Sequence, residues 1–126
     1  MANTTLIQHI DDLPGYSPPA HSGTVNRRLV GREFGAGFEM VLGHVAPGGE
    51  ASRHYHCTEA QIVYIVKGEA VVALGDAAPQ RCGPGTIIRI PPGLVHEVVT
   101  VGDAVLECLV LYAPPLGPDG FVEVPR

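Results

Sequence analysis

The chain has 126 residues, room for one domain and hardly for two, and its apolar content of 45% is that of a folded globular protein. Thirteen acidic against eight basic residues give a net charge of −5, and the absence of any basic stripe excludes a phosphate-tracking nucleic-acid binder. No apolar run approaches the roughly 18 residues that cross a bilayer, and the first residues lack the basic and apolar regions of a signal peptide. Charged residues are sparse at 17%, so part of the surface is expected to meet a second copy in a homodimer. Cys57, Cys82 and Cys108 are odd in number and scattered, and they read as reduced thiols of a cytoplasmic protein.

In chain order, residues 1–23 read as an irregular N-terminal arm broken by Leu13-Pro14-Gly15 and Ser17-Pro18-Pro19, and residues 24–126 as the folded barrel. A strand is expected over 24–30. Over 38–46 strict alternation puts Phe38, Met40, Leu42 and His44 on one face and Glu39, Val41, Gly43 and Val45 on the other. Pro47-Gly48-Gly49 reads as a turn. Two runs rich in valine and isoleucine, 61–67 and 69–74, favour strands and are parted by Gly68. The segment 75–79 closes a hairpin onto a short strand at 80–82. Further strands are expected at 86–90, 95–101, 104–113 and near 121–124. No window carries helical periodicity with caps at both ends. Some eight to ten short strands divided by turns, with 16 glycines and 12 prolines among them, indicate an all-β sandwich or small barrel.

His54-Tyr55-His56 is the first chemical pointer. Residues two apart on a strand project to one face, so both imidazoles could reach one ion. Alone this is a weak signal, but its surroundings are not. Gly48, five residues, His54-x-His56, four residues, Gln61, six residues and Gly68 reproduce the first cupin motif; Gly85, five residues, Pro91-x-Gly93, two residues and His96 reproduce the second. Sixteen residues separate Gly68 from Gly85, the short spacer of single-domain cupins. The chain therefore resembles the cupin superfamily in its small conserved-barrel form, over residues 48–100.

The resemblance implies a double-stranded β-helix, or jelly-roll barrel, in which His54, His56 and His96 bind a divalent metal. Three such histidines form a facial set with open positions opposite. The sequence departs from the motif twice: Gln61 stands at the usual glutamate and Thr100 at the usual asparagine. Gln61 offers a neutral amide oxygen, which leaves three roles open: a weak ligand, a hydrogen-bond partner of bound water, or none at all. Glu59 shares the strand parity of Gln61 and is the alternative carboxylate, although the spacing to Gly68 favours Gln61.

Other candidates rank lower. Cys57 reads as a small, partly buried thiol beside the histidine pair. His44 reads as a satisfied histidine of the barrel, and His9 and His21 as solvated residues in irregular sequence. Only one of Glu107 and Cys108 faces the interior, and parity does not say which. Arg27 and Arg28 read as an exposed strand pair that could reach an anionic ligand.

Three functions of different class remain open at this stage. The leading one is a three-histidine, metal-dependent dioxygenase, an oxidoreductase acting on a small anionic, enolic chelating substrate. A non-redox metal enzyme (isomerase, lyase or decarboxylase) and a metal-dependent binding module without turnover are the alternatives. Iron, manganese, nickel, zinc and copper are not distinguished.

Overall fold

The computed structural model describes residues 5–125; the first four residues of the expected arm, and Arg126, lie outside that range. Among the described residues there is no α-helix, only two single 3₁₀ turns at Ile10–Asp12 and Arg32–Phe34. Ten strands lie among the described residues: β1 (Gly15–Tyr16), β2 (His21–Val30), β3 (Glu39–Tyr55), β4 (Ala60–Lys67), β5 (Glu69–Leu74), β6 (Gln80–Cys82), β7 (Ile87–Ile90), β8 (His96–Val101), β9 (Leu106–Ala113) and β10 (Val122–Glu123). They curl into one antiparallel barrel with the path β6-β5-β8-β3-β9-β4-β7, while β2 and β10 add to β3 and β1 to β2. This is the expected all-β cupin architecture, a double-stranded β-helix.

Alternation explains the inside and outside of each wall. On β4, Gln61, Val63 and Ile65 are buried while Ile62 and Tyr64 are exposed. The same period on β5, β7 and β9 sends Ala70, Val72, Ile88, Ile90, Leu106 and Cys108 into a common core with Val63, Ile65 and Cys82. Cys108 thus faces inward, which settles the parity left open for β9. Glu107 faces outward and pairs across the sheet with His44 at 2.9 Å. His44 is therefore an outer-face residue, not a barrel histidine, because Glu39 and Val41 are the buried members of its strand.

The expected turn at Pro47-Gly48-Gly49 is not a turn. β3 runs unbroken for 17 residues, pairing with β9 through 39–45 and with β8 through 50–54. The strand passes from one half of the barrel to the other, and the proline-glycine segment is the irregularity at which its register against β2 shifts. Gly48 supplies the positive φ of +78° that this bend needs. Short segments with Pro and Gly read alike as bends and as turns; only the pairing of the flanking residues distinguishes them. A second irregularity lies between Ala51 and His54, where β3 spends one residue more than β8.

Candidate metal centre

That second bulge aims the first histidine. Ala51 pairs with Val98 and His54 with His96, and both Ala51 and His54 line the interior. Without the extra residue His54 would point outward. His56 follows two residues on, just past the end of β3, and all three imidazoles are buried.

Their tautomers follow from their partners. Nδ1 of His54 lies 2.5 Å from the Ser52 carbonyl, that of His56 2.6 Å from the Gly120 carbonyl, and that of His96 2.9 Å from the Leu94 carbonyl. A carbonyl oxygen only accepts, so each Nδ1 carries the hydrogen and donates it. In the neutral ring Nε2 is then a bare lone pair, the state of a metal-ligating histidine oriented by its backbone contact. One nitrogen from each ring forms a cluster within 4.8 Å, and Nε2 of His96 is buried with no partner. Burial pushes the pKa of His54 down to about 3 and that of His96 to about 4, against the opposing pull of their carbonyl partners. Neutral donors, converging lone pairs and an orphaned buried nitrogen fit a divalent cation.

Gln61 belongs to the same cluster of side chains. Its Oε1 lies 3.1 Å from Nε2 of His56, and its Nε2 donates to the Tyr112 hydroxyl at 3.4 Å. Two acceptors, a carbonyl oxygen and an imidazole lone pair, would repel one another at 3.1 Å. The contact becomes favourable when a cation is shared, since donors about 2.1 Å from one ion at a right angle lie about 3 Å apart. Glu59, the alternative carboxylate, is elsewhere. It accepts from the backbone N–H groups of Gly117 at 3.0 Å and Thr58 at 3.3 Å and is no member of the histidine cluster. Burial raises the pKa of Glu59, but these N–H donors outweigh it and hold the carboxyl below its usual range. Its task is to fasten the segment that carries Gly120.

The remaining expectations divide. His21 is neither irregular nor solvated: it starts β2, donates from Nδ1 to Pro19 O at 2.6 Å, and its ring lies 5.8 Å from that of His54. His9 is exposed and accepts from Asp11 N. Cys57 is exposed and not partly buried. Arg28, beside Arg27 on β2, does more than sit on a surface. It donates from Nε to the buried Glu39 at 2.9 Å and covers the Tyr16 ring at 4.7 Å. Thr100 is buried with its hydroxyl unpartnered.

Three site residues were not foreseen. Tyr112 lies opposite Gln61 across β4 and β9, with its ring 5.3 Å from that of His56. Phe121, from the segment before β10, packs 5.2 Å from His54 and 4.9 Å from His56. Gly120 supplies the carbonyl that orients His56. None of them has a motif, since each arrives through pairing or loop docking across more than fifty residues. The interior cavity that Tyr112 helps to line holds about 70 Å³, little more than two waters at roughly 30 Å³ each. An outer pocket of about 460 Å³ shares Asn26 and Tyr112 with it and is walled by Tyr16, Arg28, Glu39 and Phe121.

A curled antiparallel sheet with a buried histidine cluster defines a small β-barrel protein that could hold a metal ion. Residues 41–112 match the cupin domain family, more than half of the chain, and the protein belongs to that family. It is 33% identical over 72 residues to a glucose-6-phosphate isomerase of Thermococcus onnurineus, a match covering 52% of this chain and 38% of that enzyme. The chain thus matches well under half the length of that relative. An uncharacterised protein of Methanocaldococcus jannaschii is 28% identical over 95 residues, 74% of this chain and 75% of its own. Among solved structures, the polyketide cyclase RemF from Streptomyces resistomycificus superposes with a TM-score of 0.81 at 24% identity, covering 98% of this chain and 87% of that one.

Proposed function

We propose that the protein binds one divalent metal ion through His54, His56, His96 and Gln61, and acts as a metal-dependent dioxygenase on a small, anionic, enolic chelating substrate. The observation that carries this reading is the donor set: three imidazoles with Nδ1 committed to backbone carbonyls, and one amide oxygen, all neutral. An ion held there supplies Lewis acidity to a chelating oxygen and, if redox-active, an electron partner for dioxygen. Because no carboxylate offsets its charge, the site favours an anionic bidentate ligand. The chain's own part is positional. Backbone carbonyls fix the imidazoles, Phe121 covers two of them from above, and the small cavity admits only the chelating head of a substrate while the outer pocket takes the rest.

A second reading has its own support. The relative at 33% identity is named an isomerase, and a non-redox isomerase, lyase or decarboxylase would use the same ion and the same anionic substrate. Oxygen consumption by iron-loaded protein offered a panel of small enols decides between them. Uptake coupled to product supports the dioxygenase, turnover under argon supports the non-redox enzyme, and saturable binding without product leaves a binding module.

The partner we propose is a second copy of the chain. Ile62, Tyr64 and Ile87 are 44%, 41% and 48% exposed on the adjacent strands β4 and β7, an apolar outer face of the kind that interfaces cover. A reducing, cytoplasmic setting suits the free Cys57, Cys82 and Cys108.

A further inference from the structure

Tyr112 is 5% exposed, and its hydroxyl has one hydrogen-bond partner among the described residues, the amide N–H of Gln61, from which it accepts. The hydroxyl hydrogen is left without an acceptor. A buried donor in that condition is unfavourable unless something in the cavity receives its hydrogen. Tyr112 lines both the interior cavity and the outer pocket, so the residue borders the space on either side.

An amide has a second orientation, and the two have different consequences here. Turned by half a rotation, Gln61 would donate its N–H to the bare Nε2 of His56 and accept the Tyr112 hydrogen on its oxygen. Gln61, Tyr112 and His56 would then be satisfied together without an ion. In the orientation the structure has, Oε1 faces His56 and the N–H faces Tyr112. That arrangement suits an ion between Gln61 and His56, and it releases the hydroxyl hydrogen. A carboxylate at position 61 could not behave this way, because both of its oxygens accept and it would take the Tyr112 hydrogen whether or not metal is present.

We propose that Tyr112 is a substrate-contacting hydrogen-bond donor whose hydrogen the Gln61 amide makes available to an anionic oxygen of the chelating ligand when the metal is bound. The inference rests on the metal reading above and adds to it a residue and a reason for glutamine at position 61. Gln61 is the positioning residue of the pair, and Tyr112 touches the ligand.

The test is a double-mutant cycle read by binding. Wild type, Tyr112→Phe, Gln61→Glu and the double variant are each loaded with Zn²⁺, their metal content is measured by elemental analysis, and the affinity for acetylacetone, which binds as its enolate, is measured by calorimetry. Tyr112→Phe should keep one ion per chain and its far-ultraviolet circular dichroism while binding the enolate about 10- to 100-fold more weakly, the worth of a hydrogen bond to a charged group. In the Gln61→Glu background the same Tyr112→Phe change should alter affinity less than about twofold. Unaltered affinity in Tyr112→Phe overturns the donor role. An equal loss in both backgrounds overturns the coupling through Gln61. A wild type that takes up no ion overturns the metal reading and this inference with it, an outcome visible in the metal analysis before any ligand is added.

Discussion

At the scale of single residues, each imidazole of the cluster is committed to a backbone carbonyl in advance of any ion. His54, His56 and His96 each spend their N–H on a carbonyl, so removing one imidazole removes a preset lone pair. Single changes of these three to Ala should lower metal content by an order of magnitude or more, whereas His9→Ala, exposed and remote from the cluster, should not; elemental analysis of the dialysed proteins checks both. His21 is not a clean control, since its ring packs against His54. Glu59→Gln should keep its metal, because that carboxylate binds Gly117 and Thr58 and not the cluster. It should lose about 1–2 kcal/mol in urea unfolding as charge-assisted bonds become neutral ones. The depressed histidines also set a pH dependence. Their folded pKa values, about 3 for His54 and about 4 for His96, lie below the unfolded value near 6.5, so the unfolded chain binds more protons in between. The stability of metal-free protein should therefore be full above pH 6.5 and fall as the pH drops from there toward 4. A melting temperature that stays level from pH 7.5 to 4.5 would contradict this.

At the scale of elements, β3 and the loops around it do the aiming. One extra residue between Ala51 and His54 turns the first imidazole inward, and Glu59, Glu39 and Arg32 tie down the segment that delivers Gly120 and Phe121. The tight link between β4 and β5 depends on Gly68. Its φ is +83°, and a Cβ there would lie 2.6 Å from the Val105 carbonyl and 2.8 Å from the Leu106 Cα. Both obstacles are backbone, so no side chain can swing away. Gly68→Ala should cost at least 1–3 kcal/mol, measured by denaturant unfolding, and should do so without removing any metal ligand.

At the scale of the whole molecule, the apolar face around Ile62, Tyr64 and Ile87 lies on the far side of the same strand that carries Gln61, and Leu6 and Ile7 in the N-terminal arm are 85% and 91% exposed. A homodimer would cover such surfaces. Tyr64→Glu should shift a dimer to monomer in light scattering at micromolar concentration, since a carboxylate buried in an apolar interface is strongly disfavoured. A full-length protein that is already monomeric, or a Tyr64→Glu dimer, would refute the assignment.

The amino-acid sequence alone determined the class of fold, because two-residue alternation and glycine-proline punctuation are local properties that a strand and its turn express directly. It also placed His54, His56, Gln61 and His96 together as candidates, through the resemblance of their spacing to the two cupin motifs. What it left open were matters of pairing. Parity could not choose between Glu107 and Cys108, because it gives two faces without saying which is inside, and it could not separate Gln61 from Glu59, because residues two apart share one parity. The expected turn at Pro47-Gly48-Gly49 became an irregularity within β3, because the residues on either side of it both stay paired, and His44 lies on the outer wall because Glu39 and Val41 take the inner face of that strand. Tyr112, Gly120 and Phe121 came from tertiary structure alone: they meet the histidines through closure of the barrel and docking of the segment before β10, and contacts across so many residues leave no local trace in the chain.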